Sequence, residues 1–195
     1  VRIDCHWRFD EARATTLVRE LAPMKLGWIE CPISEHPSFF EANRRLRDLC
    51  HDHGTRLAAA ELQVGVAGFR PLVEGQLFDV VMPDVKYVGG VTEAMRVDAL
   101  CAKHGIAFSP HNPTGPICHA HSVHVSACAT AFERLEYQHG ESELFESLVG
   151  GRGPRLQKGA FEVPNAPGLG VALDLDVARS HPWKPVAPGL DPRLG

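Results

Sequence analysis

Six polar residues that could act in catalysis or metal binding recur along the chain at intervals of 23 to 31 residues. Each follows a short apolar run, and helical spacing follows most of these runs. The interval is about the length of one strand, one helix and two loops, which is typical of a βαβ unit. Side chains at the carboxyl ends of successive parallel strands meet at the active-site rim of a (β/α) barrel. The residues are Asp4, Glu30, Glu61, Asp84, His111 and Glu136.

The first three of these residues are carboxylates at the ends of consecutive predicted strands. Asp4, Glu30 and Glu61 would raise one another's pKa if they met without a cation among them. A site of oxygen ligands alone, without Cys or His, favours a hard ion such as Mg²⁺ or Mn²⁺. A solvated loop carboxylate explains any one of them equally well, but it does not explain three in register. The spacing therefore predicts a Mg²⁺ site.

Two histidines are candidates for proton transfer. Asp84 and His111 end neighbouring predicted strands, so the carboxylate could orient the imidazole and raise its basicity as a general base. His6 lies two residues beyond Asp4, and the period of two in a strand would place both side chains on one face. His6 would then be an acid opposite the base. Taken singly, Asp84 after Pro83 is typical of a turn, and each histidine is typical of a surface or packing residue.

Other patterns in the sequence do not predict a site. The histidines at 119, 121 and 124 lie in a helical stretch without a Cys or carboxylate to complete a zinc site, and they are typical of ordinary helix composition. The glycines between 150 and 153 follow no strand and open no helix, so they do not predict a phosphate loop. The six cysteines form no C-x-x-C pair, which favours reduced, mostly buried thiols over disulfides.

The elements that must position these residues alternate along the chain. Strands are predicted at 1–3, 27–29, 57–60, 78–82, 106–108 and 134–135, and helices at 9–22, 38–53, 66–73, 92–104 and 116–129. This alternation predicts an α/β fold with a parallel sheet. An open doubly wound sheet shows the same alternation, but it does not bring six strand ends together. We expect barrel units over residues 1–136 and a Gly/Pro-rich segment over 137–195 that returns over them.

Composition excludes several functional classes. The chain has 195 residues, is 44% hydrophobic and carries a formal charge of −4. It therefore has no basic footprint for nucleic acid or an anionic membrane, and no apolar run is long enough to span a bilayer. No signal peptide opens the chain, and reduced thiols favour a cytoplasmic location. Val1 stands inside an apolar run where a start codon would place Met, which favours a fragment of a longer protein.

Several short motifs resemble those of a known protein family and occur in the same order along the chain. Strand-end motifs occur at 4–6 (D-C-H), 28–32 (W-I-E-C-P) and 58–61 (A-A-A-E), with further ones at 79–85, 89–94, 109–112, 115–117 and 167–171. Together they resemble the mandelate racemase branch of the enolase superfamily, and most closely its galactonate-dehydratase-like acid-sugar dehydratases. The resemblance runs from Val1 to about Asp176. In it, Cys31 stands in place of a second Glu and Ala60 in place of a Gly.

The resemblance implies a fold and a chemistry. It implies the C-terminal part of a modified TIM-type (β/α)₇β barrel, from strand 3 to strand 8, without the N-terminal capping domain and first strands. Asp4, Glu30 and Glu61 would bind Mg²⁺, the Asp84 and His111 dyad would be the base, and Glu136 would lie near the substrate carboxylate. A His base with Mg²⁺ is a general pattern of this superfamily.

The predicted reaction is dehydration of a sugar acid to a 2-keto-3-deoxy acid. His111 would remove the α-proton to form an enediolate, and His6 would protonate the departing β-hydroxyl. The expected partner is a small-molecule sugar acid, with neither nucleic acid nor membrane, and the enzyme is expected to be a homo-oligomer. Two alternatives stay open at this point. One is a racemase or epimerase of a 2-hydroxy acid on the same scaffold, and the other is a catalytically incomplete fragment.

Overall fold

Five parallel strands form one sheet, in which neighbours follow the order of the sequence. A computed structural model describes residues 1–140 and 142–182, so residues 183–195 of the predicted C-terminal segment lie outside the described residues. The predicted α/β fold with a parallel sheet is confirmed. The strands are β1 (Ile3–Asp4), β2 (Ile29–Glu30), β3 (Leu57–Ala59), β4 (Val80–Val81) and β5 (Ala107–Phe108).

The helices connect successive strands and begin and end at recognisable signals. The carboxylate of Asp10 accepts a hydrogen bond from the Arg13 amide at 2.8 Å and caps the first helix. Gly105 ends the helix before β5 in a left-handed conformation with φ of 68°, which glycine adopts without steric cost. The helices are α1 (Glu11–Leu21), α2 (Phe40–Asp52), α3 (Gly65–Glu74), α4 (Val85–Val88), α5 (Val91–His104) and α6 (Pro116–Cys128).

The strands are shorter than predicted, and two of them extend to the polar residue itself. Asp4 and Glu30 are themselves the last residues of β1 and β2, and they are paired in register. The prediction ended these strands at Ile3 and Ile29, because apolar character alone was used to bound them. Register pairing therefore places two candidate ligands side by side on adjacent strands.

The sixth strand predicted at Arg134–Leu135 is not present as a strand. One isolated parallel bridge joins Phe108 to Phe132 instead. Beyond it, the hydroxyl of Ser109 donates to the Arg134 carbonyl at 2.8 Å, and Pro110 has no amide hydrogen to continue the ladder. The chain still runs alongside β5, and Glu136 donates its amide to the Pro110 carbonyl at 3.3 Å. The predicted path of the backbone is right, but its hydrogen-bond pattern is not that of a strand.

The two faces of the sheet differ. The larger core cluster packs one face against the helices, while a smaller buried cluster of Trp28, Ala58, Val80 and Met82 lies on the other face. Alternation along each strand separates these sets. The guanidinium of Arg56, before β3, donates two hydrogen bonds of 2.6 and 2.7 Å to Glu133, which follows the Phe132 bridge. Because β4 and β5 lie between these two segments in the sheet, their contact indicates that the sheet curves around the smaller cluster.

The described part of the C-terminal segment packs against α6. The buried ring of His119 lies 4.5 Å from Phe161 and 5.0 Å from Tyr137 between ring centroids, and His124 Nε2 is 3.1 Å from the Leu169 carbonyl oxygen. The division after residue 136 stays a prediction. The elements of this segment are α7 (Leu144–Ser147), the antiparallel β6 (Leu156–Gln157) and β7 (Ala160–Phe161), and α8 (Leu175–Ser180).

Two further features concern the cysteines and the helices. All six cysteines are free, and Cys5, Cys31, Cys50 and Cys101 are buried, as the spacing of the cysteines predicted. Within residues 1–140 and 142–182, no helix combines the length and the hydropathy that crossing a membrane requires.

Asp98 on α5 provides a test of how the fold is held together. Its buried carboxylate accepts hydrogen bonds from the amides of Thr130 and Ala131 at 2.9 and 2.8 Å. Asp98→Ala leaves these donors without a partner and should lower the free energy of unfolding by about 1–3 kcal/mol. Asp48→Ala, at an exposed position of α2, should change it by less than about 0.5 kcal/mol. Urea unfolding of both variants measures the difference, and equal effects would contradict the assignment.

Candidate active site

Four of the predicted site residues are buried together at the carboxyl ends of the strands. Glu30 ends β2, and Glu61 lies two residues after β3. Asp84 and His111 each lie three residues after the ends of β4 and β5. All four are buried, although Glu and Asp are mostly exposed in folded proteins. Parallel strands thus bring together residues from four separate parts of the chain.

His111 bridges two of these carboxylates. Its Nδ1 lies 2.9 Å from Asp84 Oδ2, and its Nε2 lies 3.4 Å from Glu61 Oε2. Asp84 is in turn fixed by α4, because its Oδ1 accepts the Lys86 amide at 2.7 Å. With Nδ1–H donated to Asp84, Nε2 is the nitrogen left to exchange a proton. The predicted dyad is therefore assembled, with its free nitrogen directed toward Glu61.

The carboxylates around His111 favour its protonated form. Burial would lower the pKa of His111, but the hydrogen bond to Asp84 and the charges of Glu61 and Glu136 outweigh burial and raise it. A histidine that gains a proton between two carboxylates is a strong base.

Glu30 and Glu61 form a close pair of acids. One carboxylate oxygen of each, with the Cys31 sulfur, lies within 4.8 Å of the others. Burial is the largest cause that raises the pKa of Glu30 to about 8, followed by the charges of Asp4 and Glu136. Burial likewise raises the pKa of Glu61 to about 7, and the positive charge of His111 opposes this rise. The surrounding groups therefore do not fully offset the cost of burying the two carboxylates in their charged form.

This pair fits a divalent cation with oxygen ligands. Across the part of the chain that the structure describes, neither Glu30 nor Glu61 forms an ion pair with Lys or Arg. The Cys31 thiol donates to Glu35 at 3.5 Å, and burial raises its pKa well above the usual value, so it stays protonated and is a poor ligand. Two carboxylates without a Lys or Arg partner have the chemistry that Mg²⁺ prefers. The residues present fit the predicted ion.

Asp4 and His6 lie beside this group rather than within it. Asp4 is outside the close cluster, its side chain is 50% exposed, and its Oδ1 accepts the His6 amide at 2.9 Å. Asp4 still contributes to the raised pKa of both buried acids. His6 Nδ1 lies 3.9 Å from Asp4 Oδ2. β1 ends at Asp4 and His6 turns into the left-handed region with φ of 50°, so the strand period of two does not extend from Asp4 to His6.

Glu136 is joined to the end of β5 through Asn112. Its Oε2 accepts the Asn112 amide at 2.9 Å, and the Asn112 side chain donates to the Glu136 carbonyl at 3.0 Å. The charge of Glu136 raises the pKa of Glu30, Glu61 and His111 alike. Glu136 therefore faces the same space as these three residues.

Two polar contributors to this site were not predicted from the sequence. Asn112 follows His111 directly, and its buried amide connects Glu136 to the helix residue His119 at 2.8 Å. Glu35 lies in the loop after β2 and contacts Cys31. The one sequence feature noted near Glu35 was Cys31, which stands in place of a second Glu in the W-I-E-C-P motif. Nothing in the spacing indicated that a carboxylate five residues after Glu30 folds back to contact Cys31.

Comparison with known proteins agrees with this geometry. Residues 1–177 match the family described as Enolase C-terminal domain-like. The chain belongs to this family. It is part of the enolase superfamily and is galactonate-dehydratase-like, as the motifs predicted.

Relatives with curated names are identical to this chain at about a third of the aligned positions. The D-xylonate dehydratase of Haloferax volcanii is 32% identical over 93% of this chain and 42% of its own length. The D-gluconate dehydratase of Thermoproteus tenax is 31% identical over 95% of this chain and 36% of its own length. The D-galactonate dehydratase of Ralstonia pickettii is 30% identical over 88% of this chain and 45% of its own length. The chain thus spans less than half of each of these relatives.

Solved structures of enolase-family proteins share the fold. A mandelate racemase/muconate lactonizing enzyme-like protein from Rubrobacter xylanophilus superposes with a TM-score of 0.84 at 32% identity, over 94% of this chain and 46% of that one. A mandelate racemase/muconate lactonizing enzyme from a Jannaschia species gives a TM-score of 0.83 at 26% identity, over 93% of this chain and 45% of that one. The five parallel strands therefore belong to an enolase C-terminal-like domain.

The raised pKa values predict how stability depends on pH. In the metal-free protein the folded state keeps protons on Glu30 and Glu61 that the unfolded chain releases above about pH 4.5. Stability should therefore fall as pH rises from about 5 to 8. His111 acts in the same direction, because its raised pKa contributes stability that is lost as pH rises through the folded value. Urea unfolding in the presence of a chelator at several pH values measures how the free energy of unfolding changes with pH.

Glu30→Gln provides the control for this pH dependence. It removes an acid whose folded pKa is about 8, so the variant should lose less stability over the same range, by at least about 1 kcal/mol. Added Mg²⁺ should stabilise the parent more at pH 8 than at pH 6, because protons compete with the ion at the lower pH. If the free energy of unfolding of the parent and of Glu30→Gln depended on pH in the same way, the raised pKa of Glu30 would be contradicted.

Proposed function

We propose that this chain carries the catalytic residues of an enzyme that dehydrates a sugar acid to a 2-keto-3-deoxy acid. The observation that carries the proposal is the buried array in which Asp84 holds His111 and His111 Nε2 faces Glu61, next to Glu30. Relatives named D-xylonate, D-gluconate and D-galactonate dehydratase support this reaction class. The substrate partner would be a small aldonate, and homo-oligomeric assembly in the cytoplasm stays a prediction.

Glu30 and Glu61, together with Asp4, are the residues that would hold Mg²⁺. Bound there, the ion would supply positive charge for the substrate carboxylate and offset the negative charge that develops when the α-proton is lost. The burial of Glu30 and Glu61 excludes water from these carboxylates, which strengthens electrostatic interactions in the site.

Removal of the α-proton is assigned to His111. A proton α to a carboxylate is very weakly acidic, so the base must be both strong and oriented. Asp84 orients the ring through Nδ1 and stabilises the imidazolium that forms when Nε2 takes the proton. Asp84 is itself fully buried and held by the first turn of α4, so the base keeps one orientation. Loss of the proton leaves an enediolate of the substrate.

His6 is assigned the second proton transfer and Glu136 the substrate carboxylate region. His6 follows β1, which lies at the opposite edge of the sheet from β5, the strand that precedes His111, and it is partly exposed. A protonated His6 would give its proton to the departing β-hydroxyl, so that water leaves and the enol tautomerises to the 2-keto-3-deoxy acid. Glu136 is held by the Asn112 amide next to His111, which supports a position near the reacting end of a bound acid.

The metal assignment predicts the effect of removing single ligands. Asp4→Asn, Glu30→Gln and Glu61→Gln should each weaken Mg²⁺ binding to the intact protein by at least about tenfold, because each removes one charged oxygen ligand. Asp10→Asn, which changes the carboxylate that caps α1 rather than a candidate ligand, should leave binding within about twofold. Titration calorimetry with Mg²⁺ measures all four. Unchanged affinity in Asp4→Asn would restrict the site to Glu30 and Glu61.

The two histidines are separated by isotope exchange. In the intact enzyme, His111→Asn should abolish both dehydration and exchange of the substrate α-proton with deuterium from solvent. His6→Asn should stop loss of water yet leave exchange, because the enediolate still forms and is reprotonated. The loss of a general acid for a poor leaving group should lower the rate by about 10²–10⁴-fold. Mass spectrometry of substrate and product measures both quantities at once.

The same measurement tests the racemase or epimerase alternative. That alternative predicts a stereoisomer of the substrate as the product of the parent enzyme, with deuterium at the α-carbon. Dehydration of an acid sugar at near-parental rate by His6→Asn would remove the acid role of His6. Accumulation of epimerised acid without a keto product would replace the proposed reaction with epimerisation.

A further inference from the structure

Glu35 is a buried carboxylate that accepts four hydrogen bonds beside the candidate metal site. It lies in the loop between β2 and α2 and is 9% exposed. Its Oε1 accepts from Trp7 Nε1 at 3.0 Å, from the Ala60 amide at 3.0 Å and from the Cys31 thiol at 3.5 Å. Its Oε2 accepts from Gln63 Nε2 at 3.1 Å. The mechanism described above does not use Glu35.

The donors come from the chain segments that follow the three strands carrying the candidate ligands. Trp7 follows β1, Cys31 follows Glu30 directly, and Ala60 comes directly before Glu61. One carboxylate therefore connects the ends of three neighbouring strands. A change in its position would be transmitted to the backbone next to two buried ligands.

Three of these donor residues also have backbones in the left-handed region. The φ angles are 55° for Trp7, 44° for Cys31 and 88° for Ala60. Residues with a Cβ atom avoid this region for steric reasons, and they persist there only where the surroundings hold them. Ala60 is buried, and its amide donates to Glu35. Glu35 is thus the hydrogen-bond partner that holds the strained residue in front of Glu61.

We propose that Glu35 is a positioning residue that holds Ala60 in its left-handed conformation and thereby aims the Glu61 carboxylate at the divalent cation. The inference rests on the metal site of the proposed function. It also explains why a thiol is accepted at position 31. Glu35 reaches the Cys31 side chain from the following loop and places a carboxylate next to a position at which the resemblance leads one to expect a second Glu.

The test uses variants that separate positioning from general stability. Glu35→Ala removes all four acceptor contacts. Glu35→Gln keeps an oxygen for the Oε1 donors, and its amide can donate to Gln63 once that side chain rotates its own oxygen inward. Ala60→Gly removes the need for a partner, because glycine adopts positive φ at no steric cost. Asp98→Ala, which removes another buried carboxylate with backbone donors, is the matched control.

The measurement is the affinity of the intact protein for Mn²⁺, followed by electron paramagnetic resonance of the free ion. Glu35→Ala should weaken binding by about 10–100-fold, as loss of residues that orient metal ligands typically does, while Glu35→Gln should stay within about threefold of the parent. When it is combined with Ala60→Gly, the same Glu35→Ala change should cost less than about threefold. Asp98→Ala should lower thermal stability and leave Mn²⁺ affinity unchanged.

Several outcomes would overturn the inference. They are equal affinity in the parent and Glu35→Ala, an equal loss with and without the Ala60→Gly substitution, or a comparable loss in Asp98→Ala. If Glu35→Ala does not fold, Glu35→Asp, whose shorter side chain withdraws from Ala60, replaces it in the same comparison. A parent that binds no Mn²⁺ overturns the inference together with the metal site. A parent that binds Mn²⁺ but dehydrates no sugar acid contradicts the proposed function alone, and the affinities still decide the role of Glu35.

Discussion

The burial of Glu30 and Glu61 next to each other is the constraint on which the rest of the site depends. Burying a carboxylate without a cationic partner is costly, and two such groups within 4.8 Å increase the cost. Protonation offsets part of this cost, because burial raises the pKa of both acids. Burying both acids lowers the free energy of unfolding, and a cation bound between them would raise it again.

The short strands and the irregular residues after them have a common reason. A regular strand alternates its side chains between two faces, so it cannot direct every polar residue of its carboxyl end toward one point. The chain solves this by ending each strand early and turning sharply. Left-handed residues at 6, 7, 31 and 60 re-aim the backbone next to the candidate ligands. Such strain is typical of functional sites, where surrounding contacts maintain it.

The acids and bases are also held by contacts that reach outside the site. Asp84 caps α4 and binds His111 with its two oxygens, so a helix start orients the base. Asn112 ties Glu136 to β5 and to His119 of α6, against which the C-terminal segment packs. The shared enolase fold therefore supplies the strand ends, and local caps and amides set the direction of each side chain.

The order of the elements, the parallel α/β fold and the family could be predicted from the amino-acid sequence, because apolar periodicity and recurring strand-end motifs are local properties. The sequence also placed Glu30, Glu61, Asp84 and His111 at strand ends, where the structure assembles them. The tertiary structure alone decided that Asp4 lies at the rim, that the chain near Leu135 is not a strand, and that Glu35 reaches back to Ala60. These features depend on hydrogen bonds between distant segments and on single φ angles, which no spacing along the chain encodes.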